Sequence, residues 1–180
     1  MSREPVAGDV IGGRYQLDVP IGRGGMGCVW RALDQRLGRD VAVKTIISTL
    51  VTDEVAVKRF EHEARAVAKV KSPHIVEVHD YGVDGCLYMV MELLDGEPLS
   101  KRLTRQGILP LGQVTRITDQ IARALTVVHE HDIVHRDLKP GNIFMARDPA
   151  GEYVKVIDFG VAKALGAVDK TTREKLIIGT

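Results

Sequence analysis

Apolar and polar residues alternate in short segments along the first half of the chain, a pattern typical of strands that bury one face. Turn residues separate the segments, with Gly38 in the turn at 34–40 and Asp84-Gly85 before the last segment. We therefore predict three strands in an antiparallel meander and a later strand pair closed by a hairpin. The segments are Tyr15 to Ile21, Cys28 to Leu33, Val41 to Ile47, Ile75 to Val83 and Leu87 to Glu92.

A helical spacing follows the third strand. One face of this helix is formed by residues at intervals of four and three, namely Ala56, Phe60, Glu63, Val67 and Val70. The dipeptide Ser72-Pro73 ends the pattern, because proline does not continue a helix. This segment predicts one helix between the meander and the strand pair.

The second half of the chain is mainly helical in its pattern. Leu99 to Arg105 predicts a short helix, and a second apolar stripe predicts a long helix from about Leu111 to His131. A loop from Ile133 to Phe144 with short strand flanks and a strand from Tyr153 to Ile157 follow. The stripe consists of Val114, Ile117, Ile121, Leu125 and Val128.

Composition and charge exclude several classes of function. The 180 residues carry a formal net charge of +1, so no overall field attracts nucleic acid or a membrane surface. The N-terminus has no apolar signal core, and the two cysteines, Cys28 and Cys86, are too few for a disulfide framework. We therefore expect a cytoplasmic protein and no nucleic-acid partner. A membrane anchor in a segment of a longer protein outside this chain is the alternative for its location.

The first candidate for chemistry is a glycine-rich loop. Gly22, Gly24 and Gly27 form the pattern G-x-G-x-x-G and are followed by Val29. Glycines allow a backbone to approach phosphates without a Cβ clash. The dinucleotide-binding fold also uses this pattern but requires a helix after the loop, whereas residues 28–33 are strand-like. The loop therefore favours a hairpin over a nucleotide, with an ordinary glycine turn as the alternative.

A lysine and a glutamate form the second candidate. Strand alternation gives Lys44 and Ala42 the same face, and Glu63 lies within the apolar stripe of the following helix. A lone carboxylate there is costly, so we predict that Lys44 and Glu63 pair and that the ammonium also reaches phosphate oxygens. The alternative is that Lys44 extends to water and Glu63 lies at the edge of the stripe.

The strongest chemical signal is the segment His135-Arg136-Asp137-Leu138-Lys139-Pro140-Gly141-Asn142. It resembles, residue for residue, the catalytic loop of eukaryotic-type protein kinases. The local sequence is similar to that of bacterial serine/threonine protein kinases. The resemblance implies phosphoryl transfer from ATP, with Asp137 accepting the hydroxyl proton and Lys139 neutralising charge on the phosphoryl group. Asn142 would offer an oxygen to Mg²⁺ (or Mn²⁺). The lysine two residues after the aspartate resembles the serine/threonine branch.

The segment Asp158-Phe159-Gly160 adds a fourth motif after a strand and sixteen residues beyond Asn142. In the family this aspartate holds the Mg²⁺ that bridges the phosphates, so the resemblance assigns Asp158 to the metal. The four motifs occur in the family's order and extend the resemblance from about Tyr15 to Thr180.

The resemblance implies an α+β, protein-kinase-like fold. We expect a complete N-lobe, with a five-stranded antiparallel sheet and one helix, and an incomplete, mainly helical C-lobe. The expected boundaries are a flexible N-terminus at 1–12, the N-lobe at 13–93 and a partial C-lobe at 94–180. The family's A-P-E motif would follow Thr180, so we expect a catalytic domain cut within its activation segment.

The same resemblance implies an adenine pocket. Met91 would be the gatekeeper beside the base, and Glu92 and Leu94 would give backbone hydrogen bonds to it. The ring would be sandwiched by four side chains, those of Ile21, Val29, Ala42 and Phe144. The partners implied are ATP and an unidentified protein substrate, with a homodimer through the N-lobe as a further hypothesis.

Regulation by phosphorylation is also implied. Arg136 precedes Asp137, and kinases with that arginine are commonly activated when an activation-loop phosphate pairs with it. Thr171 and Thr172 are the candidate sites, with solvated loop threonines as the alternative, and Thr180 would contact Asp137 and Lys139.

Two other functions remain as alternatives. One is an ATP-binding, catalytically inactive kinase fragment or regulatory module, which the nucleotide and metal residues alone would support. The other is a dinucleotide-dependent oxidoreductase, which the glycine loop alone suggests and the strand after it disfavours.

Overall fold

The alternating segments of the N-terminal half form one six-stranded antiparallel sheet with the strand order β1-β2-β3-β4-β6-β5. The structure is a computed structural model that describes residues 4–24, 27–46 and 53–159. The strands are β1 (Val10–Ile11), β2 (Tyr15–Gly24), β3 (Gly27–Asp34), β4 (Arg39–Ile46), β5 (Val78–Val83) and β6 (Leu87–Met91).

Both faces of this sheet are buried, and strand β4 shows why. Ala42 and Ile46 lie in a core that extends below the sheet, whereas Val41 and Val43 lie in a second core on the opposite face. Lys44 shares the face of Ala42, as strand alternation requires. One face of the sheet, with Val41 and Val43, therefore packs in a core of its own. On the other face, Lys44 lies among apolar side chains.

The sixth strand, β1, corrects the expectation of five strands preceded by a flexible segment at 1–12. Val10 and Ile11 pair with Gln16 and Tyr15, and the Ile11 side chain is buried. Gly12 and Gly13, with φ of 61° and 63°, reverse the chain between the two strands. A two-residue strand is too short to leave a periodic signal, and the glycine pair was its one local indication.

Helix α1 (Glu54–Lys69) begins at Asp53, whose carboxylate accepts hydrogen bonds from two backbone N–H groups of the first turn. Its core-facing line is Ala56, Phe60, Ala64 and Val67. The buried line therefore passes through Ala64 and not through Glu63, whose side chain is 26% exposed. The alternative interpretation of Glu63, at the edge of the stripe, is the correct one.

The second half combines two helices with a small sheet. The helices are α2 (Leu99–Gln106) and α3 (Leu111–His129), with a 3-10 turn at Pro140–Asn142. A three-stranded antiparallel sheet consists of β7 (Gly96–Pro98), β8 (Ile143–Asp148) and β9 (Gly151–Val156). The pattern predicted its last strand and, for β8, only a short strand flank of the preceding loop. None of the helices in the described ranges has the length and apolarity needed to cross a membrane.

Strand β9 joins the two halves of the molecule. Val156 donates its N–H to the His74 carbonyl at 2.8 Å and accepts from the Val76 N–H at 3.0 Å. The same core contains residues of α1, β6, α3 and β9, so the loop after α1, β9 and the helices pack as one unit.

A buried ion pair near the start of the sheet gives the fold a pH dependence. Arg14 donates to both carboxylate oxygens of Asp34 at 2.7 Å, and the Asp34 side chain is 1% exposed. These hydrogen bonds hold the pKa of Asp34 below its usual range. The contribution of the pair to stability is therefore present above the unfolded-state pKa, near pH 4, and is lost as the pH falls through the lower folded-state pKa.

We expect Asp34→Asn to lower the free energy of unfolding at pH 7 and to flatten its decline between about pH 5 and pH 2. Urea denaturation at several pH values measures both effects. Asp18→Asn, which removes an exposed aspartate paired with Arg31, is the matched control and should keep the wild-type slope. Equal acid slopes for the wild type and Asp34→Asn would show that this pair does not govern acid stability.

Candidate active site

The catalytic-loop segment lies between α3 and β8, and its polar side chains converge on Asp137. Lys139 Nζ donates to Asp137 Oδ2 at 2.7 Å. The Asn142 amide donates to the same oxygen at 3.2 Å and to the Asp137 carbonyl at 2.8 Å. A lysine and an amide thus fix the orientation of one carboxylate, and the three residues selected from the sequence lie together.

His135 joins this loop to the neighbouring segment through both of its ring nitrogens. Its side chain is buried, its Nε2 donates to the Ile157 carbonyl at 2.9 Å, and its Nδ1 accepts from the Asp137 N–H at 3.3 Å. Its ring also packs against Phe159 at a centroid distance of 4.8 Å. His135 therefore connects the loop to the segment that carries Asp158, a packing role and not that of an exposed base.

Two non-glycine residues of the site adopt left-handed backbone conformations. Arg136 has φ of 60° and Asp158 has φ of 58°. Such conformations are uncommon outside glycine and cluster at functional sites, where the surrounding structure enforces them. Both residues belong to motifs selected from the sequence. The unusual backbone conformations are therefore independent support for a functional site at these two positions.

The ion pairs of the site differ from the expected Lys44–Glu63 pair. Lys44 Nζ contacts Asp158 Oδ1 at 2.6 Å, and Glu63 Oε1 accepts from Arg136 Nη1 at 2.8 Å. The prediction of a direct Lys44–Glu63 pair is therefore wrong for this arrangement. The physical reason is the rotation of α1, which places Ala64 in the core and Glu63 at the edge beside the catalytic loop.

Two cavities flank these ion pairs. One of about 120 Å³ lies between α1 and the catalytic loop, with Glu63 and Arg136 in its wall. The other, of about 20 Å³, lies behind Lys44 and is lined by Met91, Asp158 and Phe159. The second has room for about one water molecule, so the interior behind Lys44 is nearly filled.

The glycine loop is the end of a strand hairpin. Gly22 pairs with Val29 and Gly24 pairs with Gly27, so a strand and not a helix follows the glycines. Gly27 has φ of 150°, and a Cβ there would lie 1.9 Å from the Thr45 carbonyl oxygen, so only glycine fits. Gly25 and Met26, at the tip, lie outside the described residues.

The residues expected around the adenine fall on several strands. Val29 pairs with Lys44 across β3 and β4, and Ala42 pairs with Met91 across β4 and β6. Ile21 is 52% exposed on β2. Phe144 is half-buried on β8, opposite Pro98. The sandwich of these side chains around a base stays a prediction.

The segment between β6 and β7 follows Met91, which is buried. The Glu92 N–H donates to the Glu77 carbonyl at 3.0 Å, so a bond from the Glu92 backbone to a base would come from its carbonyl. Leu94 is half-buried in the same segment. The regulatory candidates Thr171, Thr172 and Thr180 lie outside the described residues.

Sequence reasoning missed Lys155. It lies in the middle of β9 and is 7% exposed, with its ammonium bonded to Glu92 Oε1 at 2.6 Å and to the Ile75 carbonyl at 3.1 Å. A lysine between two valines in a short strand suggests a solvent-facing position by alternation. The sequence signal for a buried cation was Glu92, an acidic residue directly after the buried strand β6.

Comparisons with known proteins agree with this geometry. Residues 15–178 match the family model described as the protein kinase domain. The serine/threonine-protein kinase PknA of Mycobacterium tuberculosis is 44% identical over 182 residues, an alignment that covers 98% of this chain and 41% of the relative. The chain therefore spans about two fifths of the length of this relative.

Solved structures show the same architecture. The crystal structure of the kinase domain of Mycobacterium tuberculosis PknI superposes with a TM-score of 0.77 at 28% identity, covering 87% of this chain and 63% of that chain. Rad53 (residues 1–466) in complex with AMP-PNP superposes with a TM-score of 0.71 at 29% identity, covering 82% and 38%. The expected α+β, protein-kinase-like fold with an antiparallel N-lobe sheet is confirmed.

Proposed function

Since this chain belongs to the protein kinase domain family, we propose that it transfers the γ-phosphoryl group of ATP to serine or threonine hydroxyls of proteins. The observation that carries the proposal is the arrangement at Asp137, whose carboxylate is oriented by Lys139 at 2.7 Å and by Asn142 at 3.2 Å. A general base needs a fixed orientation toward the proton that it accepts, and a cation beside it suits a reaction that moves a charged phosphoryl group.

The proposed reaction is an in-line displacement. The substrate hydroxyl oxygen forms a bond to the γ-phosphorus while the bond from that phosphorus to the bridging oxygen breaks, and ADP leaves with the electron pair. Asp137 accepts the hydroxyl proton, and Lys139 stabilises negative charge on the transferred group. The products are a phosphoserine or phosphothreonine and ADP.

Adenine recognition belongs to the segment after β6. The exocyclic amine of adenine is a donor and its ring nitrogen N1 is an acceptor, so a backbone carbonyl and a backbone N–H are the complementary pair. The Glu92 N–H already donates to Glu77, which leaves the Glu92 carbonyl as the acceptor that we assign to the amine. We assign the Leu94 N–H to N1, with Val29 and Ala42 on the faces of the ring.

The residues assigned to a metal fit Mg²⁺ by their chemistry. Asn142 and Asp158 supply oxygen donors, and the described residues contain no cluster of three His, Cys, Asp or Glu side chains suited to a metal ion. Mg²⁺ commonly takes one or two protein ligands together with phosphate oxygens and water, so two donors are sufficient. Held by Asn142 and Asp158, the ion would neutralise negative charge on the phosphates of ATP.

We further propose that the ion pairs of the site exchange when ATP binds. Lys44 now contacts Asp158, and Glu63 contacts Arg136, which is 56% exposed. A partly exposed pair of this kind contributes about 0.2–1 kcal/mol, so the Arg136 pair opposes the exchange only weakly, and the exchange requires a rotation of α1 that turns Glu63 toward Lys44. A phosphate on Thr171 or Thr172 would compete with Glu63 for Arg136, which would favour the exchange.

A thermal melt with and without Mg²⁺-ATP tests the nucleotide site. Ligand at about 100 times its dissociation constant should add roughly 2.7 kcal/mol to the free energy of unfolding and raise Tm. In Asp158→Asn we expect the Mg²⁺-dependent part of this rise to be lost, because the substitution removes a charged metal ligand. Asp119→Asn, which removes an exposed aspartate on α3, is the control and should respond as the wild type does.

A Tm that does not respond to Mg²⁺-ATP would contradict the proposal. A rise in Tm without any phosphoryl transfer would favour the ATP-binding module, the alternative function. The N-lobe homodimer stays a prediction.

A further inference from the structure

Lys155 is a buried charge that the proposed chemistry does not use. It lies in β9 between Val154 and Val156, both of which are buried in the core, and its own side chain is 9% exposed. Burying an ammonium is costly unless it is paired and hydrogen-bonded. Both conditions hold here, because Nζ contacts Glu92 Oε1 at 2.6 Å and the Ile75 carbonyl at 3.1 Å.

The contacts of Glu92 show what Lys155 holds. Glu92 Oε1 also accepts the backbone N–H of Glu77 at 2.7 Å, and the Glu92 N–H donates to the Glu77 carbonyl at 3.0 Å. Glu92 is thus attached through its side chain and its main chain to two other segments, the loop after α1 and strand β9. Its carbonyl is the group that we assigned to the adenine amine.

The segment that carries this carbonyl has little regular structure of its own. Residues 92–95 belong to no strand or helix, so no continuing ladder of backbone hydrogen bonds sets their orientation. The contacts of the Glu92 side chain with Lys155 and with the Glu77 N–H therefore add to the Glu92 N–H bond in setting how the peptide between Glu92 and Leu93 is oriented.

We propose that Lys155 is a positioning residue for adenine recognition, which holds the Glu92 peptide at the angle where its carbonyl accepts the 6-amino group of the base. The inference rests on the proposed function, because it assumes that adenine binds at this segment. Lys155 does not touch the nucleotide in this account. It acts through Glu92, and its loss affects the selectivity of binding and not only stability.

Lys155→Met tests the inference, because methionine keeps the apolar stem and removes the ammonium. We expect the dissociation constant of Mg²⁺-ATP to rise roughly three- to tenfold, the size of one hydrogen bond. Mg²⁺-ITP carries an oxygen in place of the 6-amino group, so its dissociation constant should change much less. The selectivity for ATP over ITP, measured by isothermal titration calorimetry, therefore falls in the variant.

Three further variants separate positioning from stability. Lys155→Met combined with Glu92→Leu removes both charges, which should restore packing and Tm but not the selectivity for ATP. Lys155→Arg keeps the charge and should recover part of the selectivity. Lys71→Met removes an exposed lysine that pairs with Glu77 in the neighbouring segment, and it should leave both constants unchanged.

The outcomes are distinguishable. A lower selectivity in both Lys155→Met and the double variant, with a normal selectivity in Lys71→Met, supports the inference, whereas a selectivity that returns to the wild-type value in the double variant overturns it. An unchanged selectivity in both variants, whatever their Tm, overturns it and leaves the proposed function intact. A wild-type protein that binds neither nucleotide overturns the proposed function and this inference together.

Discussion

Asp137→Asn should lower the rate of phosphoryl transfer by about 10²–10⁴-fold, the range attributed to a positioned general base. Asparagine has nearly the same shape and can still accept a hydrogen bond from Lys139, which is 2.7 Å from the carboxylate. It cannot accept the hydroxyl proton. The loss should therefore appear in kcat, while the affinity for Mg²⁺-ATP stays within a few-fold of the wild type.

Initial-rate kinetics with a labelled γ-phosphate measure kcat, and calorimetry measures the affinity for Mg²⁺-ATP. Asp119→Asn, an exposed aspartate that pairs with Arg123 on α3, is the control for the chemical change itself. If Asp137→Asn retains the wild-type kcat, Asp137 is not the general base. A variant that loses ATP binding as well would show that Asp137 supports the fold of the site and is not specific to the reaction.

Lys44→Met should lower kcat by about 10²–10³-fold, because it removes a cation that we place on the phosphates in a largely water-excluded site. The Lys44 side chain is 18% exposed and its ammonium lies 2.6 Å from Asp158. Methionine keeps the apolar stem that packs on the face of Ala42, so the fold should persist. The same substitution also removes the lysine that contacts Asp158, which gives the aspartate that we assign to the metal more freedom.

Steady-state kinetics at several ATP concentrations separate the two constants. If Lys44 acts on the transferred phosphoryl group, kcat falls more than KM rises. Lys58→Met, which removes an exposed lysine paired with Glu54 on α1, should leave both constants unchanged. A rise in KM with an unchanged kcat would show that Lys44 contributes to ATP binding alone.

The catalytic loop was the part of the site that the sequence predicted best. Asp137, Lys139 and Asn142 are separated by two and three residues, so a single tight turn brings their side chains together. Such short spacings leave the chain few conformations, and the local pattern is enough. The glycine hairpin was predicted for the same reason, because the strand after Gly27 is visible in the sequence.

The ion pairs could not be predicted with the same accuracy. The spacing of the α1 stripe fits Glu63 as well as Ala64, and these two residues differ by a rotation of about 100° around the helix. A sequence does not fix such a rotation when both choices satisfy the apolar period. The partner of Glu63 then depends on which cation lies nearest in the folded protein, and that cation is Arg136.

The pattern of apolar and polar residues also did not predict the short strands or the buried charge of Lys155. Strand β1 has two residues and β7 has three, which is too few for an alternation to be seen. Lys155 is buried only because Glu92 and the Ile75 carbonyl, 63 and 80 residues away in sequence, meet its ammonium. Contacts between residues so far apart in sequence depend on the whole fold.

The measurement that tests the central claim most directly is transfer of labelled γ-phosphate from Mg²⁺-ATP to a protein acceptor, followed by identification of the phosphorylated amino acid. The account predicts label in phosphoserine or phosphothreonine with the wild-type protein and almost none with Asp137→Asn. Equal label with Asp137→Asn would contradict the assignment of the base. Label absent from the wild-type reaction, although Mg²⁺-ATP binds, would contradict the central claim itself.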